Sequence, residues 1–130
     1  HNQNDLDKIT LFIGECKKLR IEVLGPDVNE SGLNFNVTKD KTIRFGLAAI
    51  KGIGTATAES IVSLRTDKYS DFFDFIETVP GLNKKTLEAL AMSGALDCFK
   101  EYHRKQYLFS FNDNPSFVEK VIKYLQQINN

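Results

Sequence analysis

The sequence predicts a mostly α fold with one small β-hairpin (α+β), built around two tandem copies of a helical hairpin. Three observations carry this. From Gly46 onward, apolar residues recur at helical spacing. Before that point, short alternating apolar segments flank turn-rich stretches. And "IKGIGTATAESI" can be laid over "VPGLNKKTLEAL", so that Gly52-Ile53-Gly54 falls on Gly81-Leu82-Asn83, Ile50 on Val79, Ala58 on Leu87 and Ile61 on Leu90. Each copy reads as a short helix, a glycine-containing turn with a central apolar residue, and a second helix. Two such copies would pack about a pseudo-two-fold axis.

Residues 1–45 form the first segment. "NDLDKITLFIGECKKLR" places Leu6, Ile9, Phe12, Ile13 and Cys16 on one helical stripe. Asn4 or Asp5 can cap its start, and Lys17, Lys18 and Arg20 suit the negative end of its dipole. Ile21 and Val23 alternate like a short strand before the Gly25-Pro26 break. "LNFNVTKDKTIRFG" reads as the hairpin, with Phe35 and Val37 on one face, a turn over 39–42, and Ile43 and Phe45 returning.

Residues 46–101 hold the repeat, with helices expected over 47–51, 56–65, 71–79 and 84–93. Residues 102–130 form a C-terminal amphipathic helical segment. There Ser116 and Glu119 make a capping box after Pro115. Phe117, Val118, Val121, Ile122, Leu125 and Ile128 line an apolar face, which must dock on its own domain or on a neighbouring one.

The 130 residues, 42% of them hydrophobic, suffice for one cored domain, alone or with a small appendage. Seventeen basic and seventeen acidic residues cancel, so no bulk positive field draws a polyanion; nucleic-acid binding would need a local patch or backbone groups. Cys16 and Cys98 fit neither a disulfide framework nor a zinc pattern and read as buried thiols of a reducing, cytoplasmic setting. No apolar run approaches the ~20 residues of a membrane span, and nothing resembles a signal peptide. The polar start "HNQND" lacks a methionine and reads as a remnant joined to an excised domain.

The chemistry lies in the turns. Gly52 and Gly54 can adopt positive φ and let the backbone approach a surface, while Ile53 between them points to the core. Thr55 opens the next helix, and the small residues after it leave that helix N-terminus uncovered, a ready anion site. Lys51 adjoins the turn, and Thr55 and Thr57 add hydroxyls, so a phosphate is the natural anion. In the second copy, Gly81 and Leu82 make the turn, Asn83 can cap the helix, and Lys84, Lys85 and Thr86 carry the donors. Two such sites could hold phosphates on the two strands of a duplex, which positions a protein without reading sequence. The competing reading is an αα-hairpin whose glycine turn serves packing alone. The two are compatible, since Ile53 can serve the core while Gly54 faces DNA.

The tandem turn resembles the helix-hairpin-helix module of non-specific DNA-binding proteins. The longer string "GECKKLRIEVLGPDVNESGLNFNV…IRFGLAAIKGIG…LNKKTLEALAMSGALDCF…HRKQ", from about Phe12 to Gln106, resembles the C-family replicative polymerases of bacteria, the DNA polymerase III alpha subunits, at the end of their fingers and their tandem helix-hairpin-helix. Gly25 stands where that family usually has a second proline, and Arg20 where it often has glycine.

The resemblance implies a parent enzyme that extends DNA with carboxylate-bound divalent metal (Mg), its catalytic aspartates lying in a palm domain before this region. No catalytic or metal residue is assigned here, and the chain alone is expected to be inactive. Asp71, Asp74, Glu77 and Asp97 are scattered and read as caps and solvated faces. The DNA contacts it implies fall on Lys51, Gly52, Ile53, Gly54, Thr55 and Thr57, and on Gly81, Leu82, Asn83, Lys84, Lys85 and Thr86. A sliding-clamp peptide is expected nearby but outside the chain: "KQYLF" has Lys105 where glutamine belongs and reads as core-forming. The basic runs His103-Arg104-Lys105 and Lys39, Lys41 and Arg44 read as solvated surface. The expected function is sequence-independent binding of duplex DNA within a replicative polymerase, alongside its other domains. The alternative is a helix-hairpin-helix-derived protein-interaction domain.

Overall fold

An N-terminal helix, a three-stranded sheet, the two hairpins and two closing helices follow one another along the chain. The computed structural model describes residues 3–37, 40–108 and 115–128, the side chains of 3–6 excepted. Helix α1 (Gln3–Lys18) already contains Asn4 and Asp5, so neither caps it from outside; Lys17 and Lys18 occupy its last turn as expected. Of its stripe, Cys16 is buried and Ile9 and Ile13 are half-buried. Phe12 is exposed and meets Phe35 edge-on at 6.3 Å. The chain leaves α1 through Arg20 at φ 60°, a left-handed conformation that costs a residue with a Cβ.

The sheet has strands β1 (Glu22–Leu24), β2 (Asn36–Val37) and β3 (Thr42–Arg44) in the order β1-β3-β2. β2 and β3 form the expected antiparallel hairpin, with Val37 opposite Ile43. The parallel pairing of β1 with β3, Val23 beside Ile43, was not visible in sequence. Ile43 is buried, whereas Phe35 and Val37 stay exposed at the short edge strand. Of the expected turn, Lys39 lies outside the described residues.

The loop over 25–33 binds the sheet to the helices. Val28 is buried in the main core and its N–H donates to the Ala95 carbonyl at 3.0 Å. The buried Ser31 hydroxyl donates to the Phe45 carbonyl at 2.6 Å and accepts the Asp27 N–H at 2.9 Å. Asn29 clamps Tyr69 from both sides: its Oδ1 accepts the Tyr69 N–H at 2.7 Å and its Nδ2 donates to the Tyr69 carbonyl at 3.2 Å. Beside the hairpin the chain passes so close to itself that a Cβ at Gly46 would overlap the backbone of Leu33 and Asn34.

The helix expected over 47–51 is a single 3₁₀ turn, Leu47–Ala49. It is followed by α2 (Thr55–Ser63), α3 (Phe72–Thr78) and α4 (Lys84–Ser93). Asp71 caps α3, accepting the Asp74 N–H at 2.7 Å, and Asp74 returns a bond to the Ser70 N–H at 2.9 Å. Gly94, at φ 88°, ends α4, while the Ala95 N–H reaches back to the Leu90 carbonyl.

Helices α5 (Arg104–Leu108) and α6 (Phe117–Ile128) pack on α4 and on each other. Val118 and Val121 bury the α6 stripe against the domain's own core, which answers the docking question left open by sequence. Phe72, Phe99, Tyr102, Tyr107 and Phe117 form an aromatic cluster between the hairpins and these closing helices. Among the described residues, no helix is long and apolar enough to cross a membrane.

Candidate nucleic-acid interface

Both turns reverse the chain through a left-handed glycine, Gly52 at φ 98° and Gly81 at φ 78°. This is why the two copies share a glycine at this position. Ile53 and Leu82 follow and lean, half-buried, onto the core. Gly54 departs from expectation: it is extended (φ −73°, ψ 154°) and serves as the N-cap of α2. Its advantage is therefore openness, since an added Cβ would have nothing within 4 Å.

The two helix starts differ in how their N–H groups are used. No side chain caps α2 at Gly54, so nothing from this position covers the first-turn donors. In the second copy, Asn83 caps α4 as expected, its Oδ1 accepting the Thr86 N–H at 2.8 Å. Thr86 itself is 5% exposed. Its backbone N–H is thus already taken by Asn83, and only a small part of its surface stays open. Thr57, at the equivalent position, is half-buried.

The hairpins are seated on each other reciprocally. A Cβ at Gly52 would stand 3.2 Å from the Ala89 Cβ and 4.0 Å from Lys85 Cε, both on α4. A Cβ at Gly81 would stand 4.0 Å from Thr57 Oγ1, on α2. Each turn thus lies against the second helix of the other copy, which brings the two sets of expected residues onto one unit. Lys51, Gly52, Gly54, Thr55, Gly81, Asn83, Lys84 and Lys85 are all exposed. Lys51 and Lys85 line one cleft of about 670 Å³ between the first turn and α4. Lys84 lies 3.8 Å from the Glu119 carboxylate of α6, a neighbour no sequence signal announced.

Several other charged groups serve the fold. Arg44 donates to the Gly25 carbonyl at 3.0 Å, and Arg104 grips Asp97 with two nitrogens at 3.1 and 2.8 Å. Glu77 accepts the Tyr124 hydroxyl at 3.2 Å. Among the described residues no group of three His, Cys, Asp or Glu side chains could hold a metal ion. In "KQYLF", Tyr107 is buried and Leu108 half-buried in the core, and Phe109 lies outside the described residues.

The helix-hairpin-helix motif model matches residues 20–107, which span the sheet, both hairpins and α5. The chain belongs to the helix-hairpin-helix motif family. It is also similar to DNA polymerase III alpha subunits. That of Mycobacterium tuberculosis is 39% identical over 110 residues, covering 82% of this chain and 9% of the relative. That of Pseudomonas aeruginosa is 39% identical over 100 residues, covering 74% and 8%. That of Pseudomonas fluorescens is 36% identical over 136 residues, covering 97% and 12%. The chain therefore spans about a tenth of the length of these relatives.

Proposed function

We propose that this segment grips duplex DNA through its phosphates, without reading sequence, as part of a replicative polymerase of the DNA polymerase III alpha type. The observation that carries the reading is the open start of α2: Gly54 leaves it without a side-chain cap and with free space around it, while Lys51 and Lys85 line a cleft that meets the same turn at Gly52. Backbone donors, the positive helix end and flexible ammonium groups together suit a phosphate oxygen. Lys51, Gly52, Gly54 and Thr55, with Lys85 reaching across from α4, serve the first contact; Gly81, Asn83 and Lys84 serve the second. Ile53, Leu82, Thr57 and Thr86 support the turns from within.

Polymerisation itself belongs to other domains of the parent protein, as do contacts with a sliding clamp. Binding by this segment alone is weak, with dissociation constants on the order of 10⁻⁴–10⁻⁶ M at physiological salt. The test is a titration of two labelled duplexes of unrelated sequence at several salt concentrations. Equal affinities that fall linearly on a log–log salt plot support the reading. Binding that ignores salt supports the rival, a protein-docking platform.

A further inference from the structure

We propose that the two hairpins, alike in backbone, are unequal as phosphate sites, because the second carries its own counter-anion: Glu119 of α6 holds Lys84 and weakens the second contact with DNA. This rests on the phosphate-binding reading above and assigns the main grip to the first hairpin.

Glu119 is not a loose surface acid. Its N–H donates to the Ser116 hydroxyl at 3.2 Å, and its Oε1 accepts from that hydroxyl at 3.3 Å. The same oxygen faces Lys84 Nζ at 3.8 Å. Ser116 is itself buried, so the capping box presents the carboxylate from a fixed point on the body of the domain. Lys84 is the first residue of α4, so an anion of the chain's own stands beside the helix start that a phosphate would approach.

The first hairpin has no such guard. Among the described residues, Lys51 forms no ion pair, and Gly54 adds no side-chain oxygen where Asn83 places one in the second copy. Both partners of the Lys84–Glu119 pair are about half exposed. Exposed pairs are cheap to break, so Glu119 tunes the second contact and does not lock it. A phosphate arriving at Lys84 must displace or tolerate a carboxylate already paired with that lysine; at the first hairpin Glu88 lines the cleft with Lys51 and Lys85 but forms no ion pair with either.

The test uses the whole chain in duplex anisotropy titrations across a salt series. Glu119→Gln keeps the capping box, because glutamine serves that role as well as glutamate. It should tighten binding about threefold at low salt and steepen the log–log salt slope by up to about 0.9, one further phosphate contact. In a Lys84→Ala background the gain should vanish, and Lys51→Ala should weaken the parent chain more than Lys84→Ala does.

Glu15→Gln on α1 makes the same change in net charge and should gain less. Circular dichroism checks that α6 survives in each variant. A Glu119→Gln gain no larger than that of Glu15→Gln, or one that persists without Lys84, overturns the inference while leaving phosphate binding intact. Absence of salt-sensitive binding by the parent chain removes the phosphate reading, and this inference with it.

Discussion

Gly52 and Ala89 meet at the seam between the two hairpins, where a Cβ on the glycine would stand 3.2 Å from that of the alanine. The contact explains two residue choices at once. Gly52 needs its left-handed φ for the turn, and Ala89 must be small for the turn to lie on α4.

Gly52→Ala should therefore destabilise the fold by about 2 kcal/mol, from left-handed strain and crowding. Gly54→Asn should do the opposite. Gly54 has negative φ and open surroundings, so asparagine can cap α2 as Asn83 caps α4, raising stability by a few tenths of a kcal/mol, on the order of 0.3. Urea midpoints of the two variants check both signs.

Arg20 occupies a left-handed position on an exposed turn. Arg20→Gly should relieve that strain and stabilise the chain by about 1 kcal/mol, after the glycine's entropic cost. A lowered melting temperature would mean that the arginine side chain holds something more valuable than the strain it causes.

Tyr107 is fully buried among Phe72, Tyr102 and Phe117, and its hydroxyl has no hydrogen-bond partner among the described residues. Burial, with Glu101 nearby, pushes that hydroxyl's pKa well above its usual value. Tyr107→Phe keeps the ring and removes the orphan, so stability should be unchanged or raised by about 1 kcal/mol. A loss in a thermal melt would reveal a partner for the hydroxyl.

The Cys98 thiol is pushed up to about 12 by burial first and by Asp27 second. Because the thiol is neutral when protonated, the folded chain holds that proton more tightly than the unfolded chain does. The associated stability is complete below about pH 9 and is lost as pH rises from there toward about 12. Iodoacetamide at pH 8 should alkylate Cys98 slowly in the native chain and quickly in urea, as read by site-resolved mass spectrometry. Of the two cysteines expected to be buried, Cys16 is buried and Cys98 only half-buried, so rapid native labelling would contradict the raised thiol pKa.

Much of the helical half was legible because its demands are local. A left-handed turn selects glycine, so Gly52 and Gly81 marked the repeat; Asp71, Asn83 and Ser116 marked helix starts through hydrogen bonds a few residues long. What escaped was non-local. Strands of two or three residues carry too little pattern to announce the parallel β1–β3 pairing. The sequence also could not separate a glycine needed for positive φ from one, like Gly54, that merely leaves a helix start open. Thr86 reads as a surface donor beside two lysines, whereas packing leaves it only 5% exposed, which the local sequence does not announce. The Lys84–Glu119 contact joins residues on separate helices, and no spacing rule reaches that far.

The most direct measurement is fluorescence anisotropy of a short labelled duplex with the parent chain and Gly54→Glu, at low and high salt. The variant has room for its side chain but places a carboxylate where the phosphate is proposed to sit. Salt-sensitive binding by the parent chain that is lost in a fully folded Gly54→Glu variant is the expected result. Binding that the carboxylate leaves untouched would contradict phosphate recognition at the first hairpin and leave its glycines as packing residues.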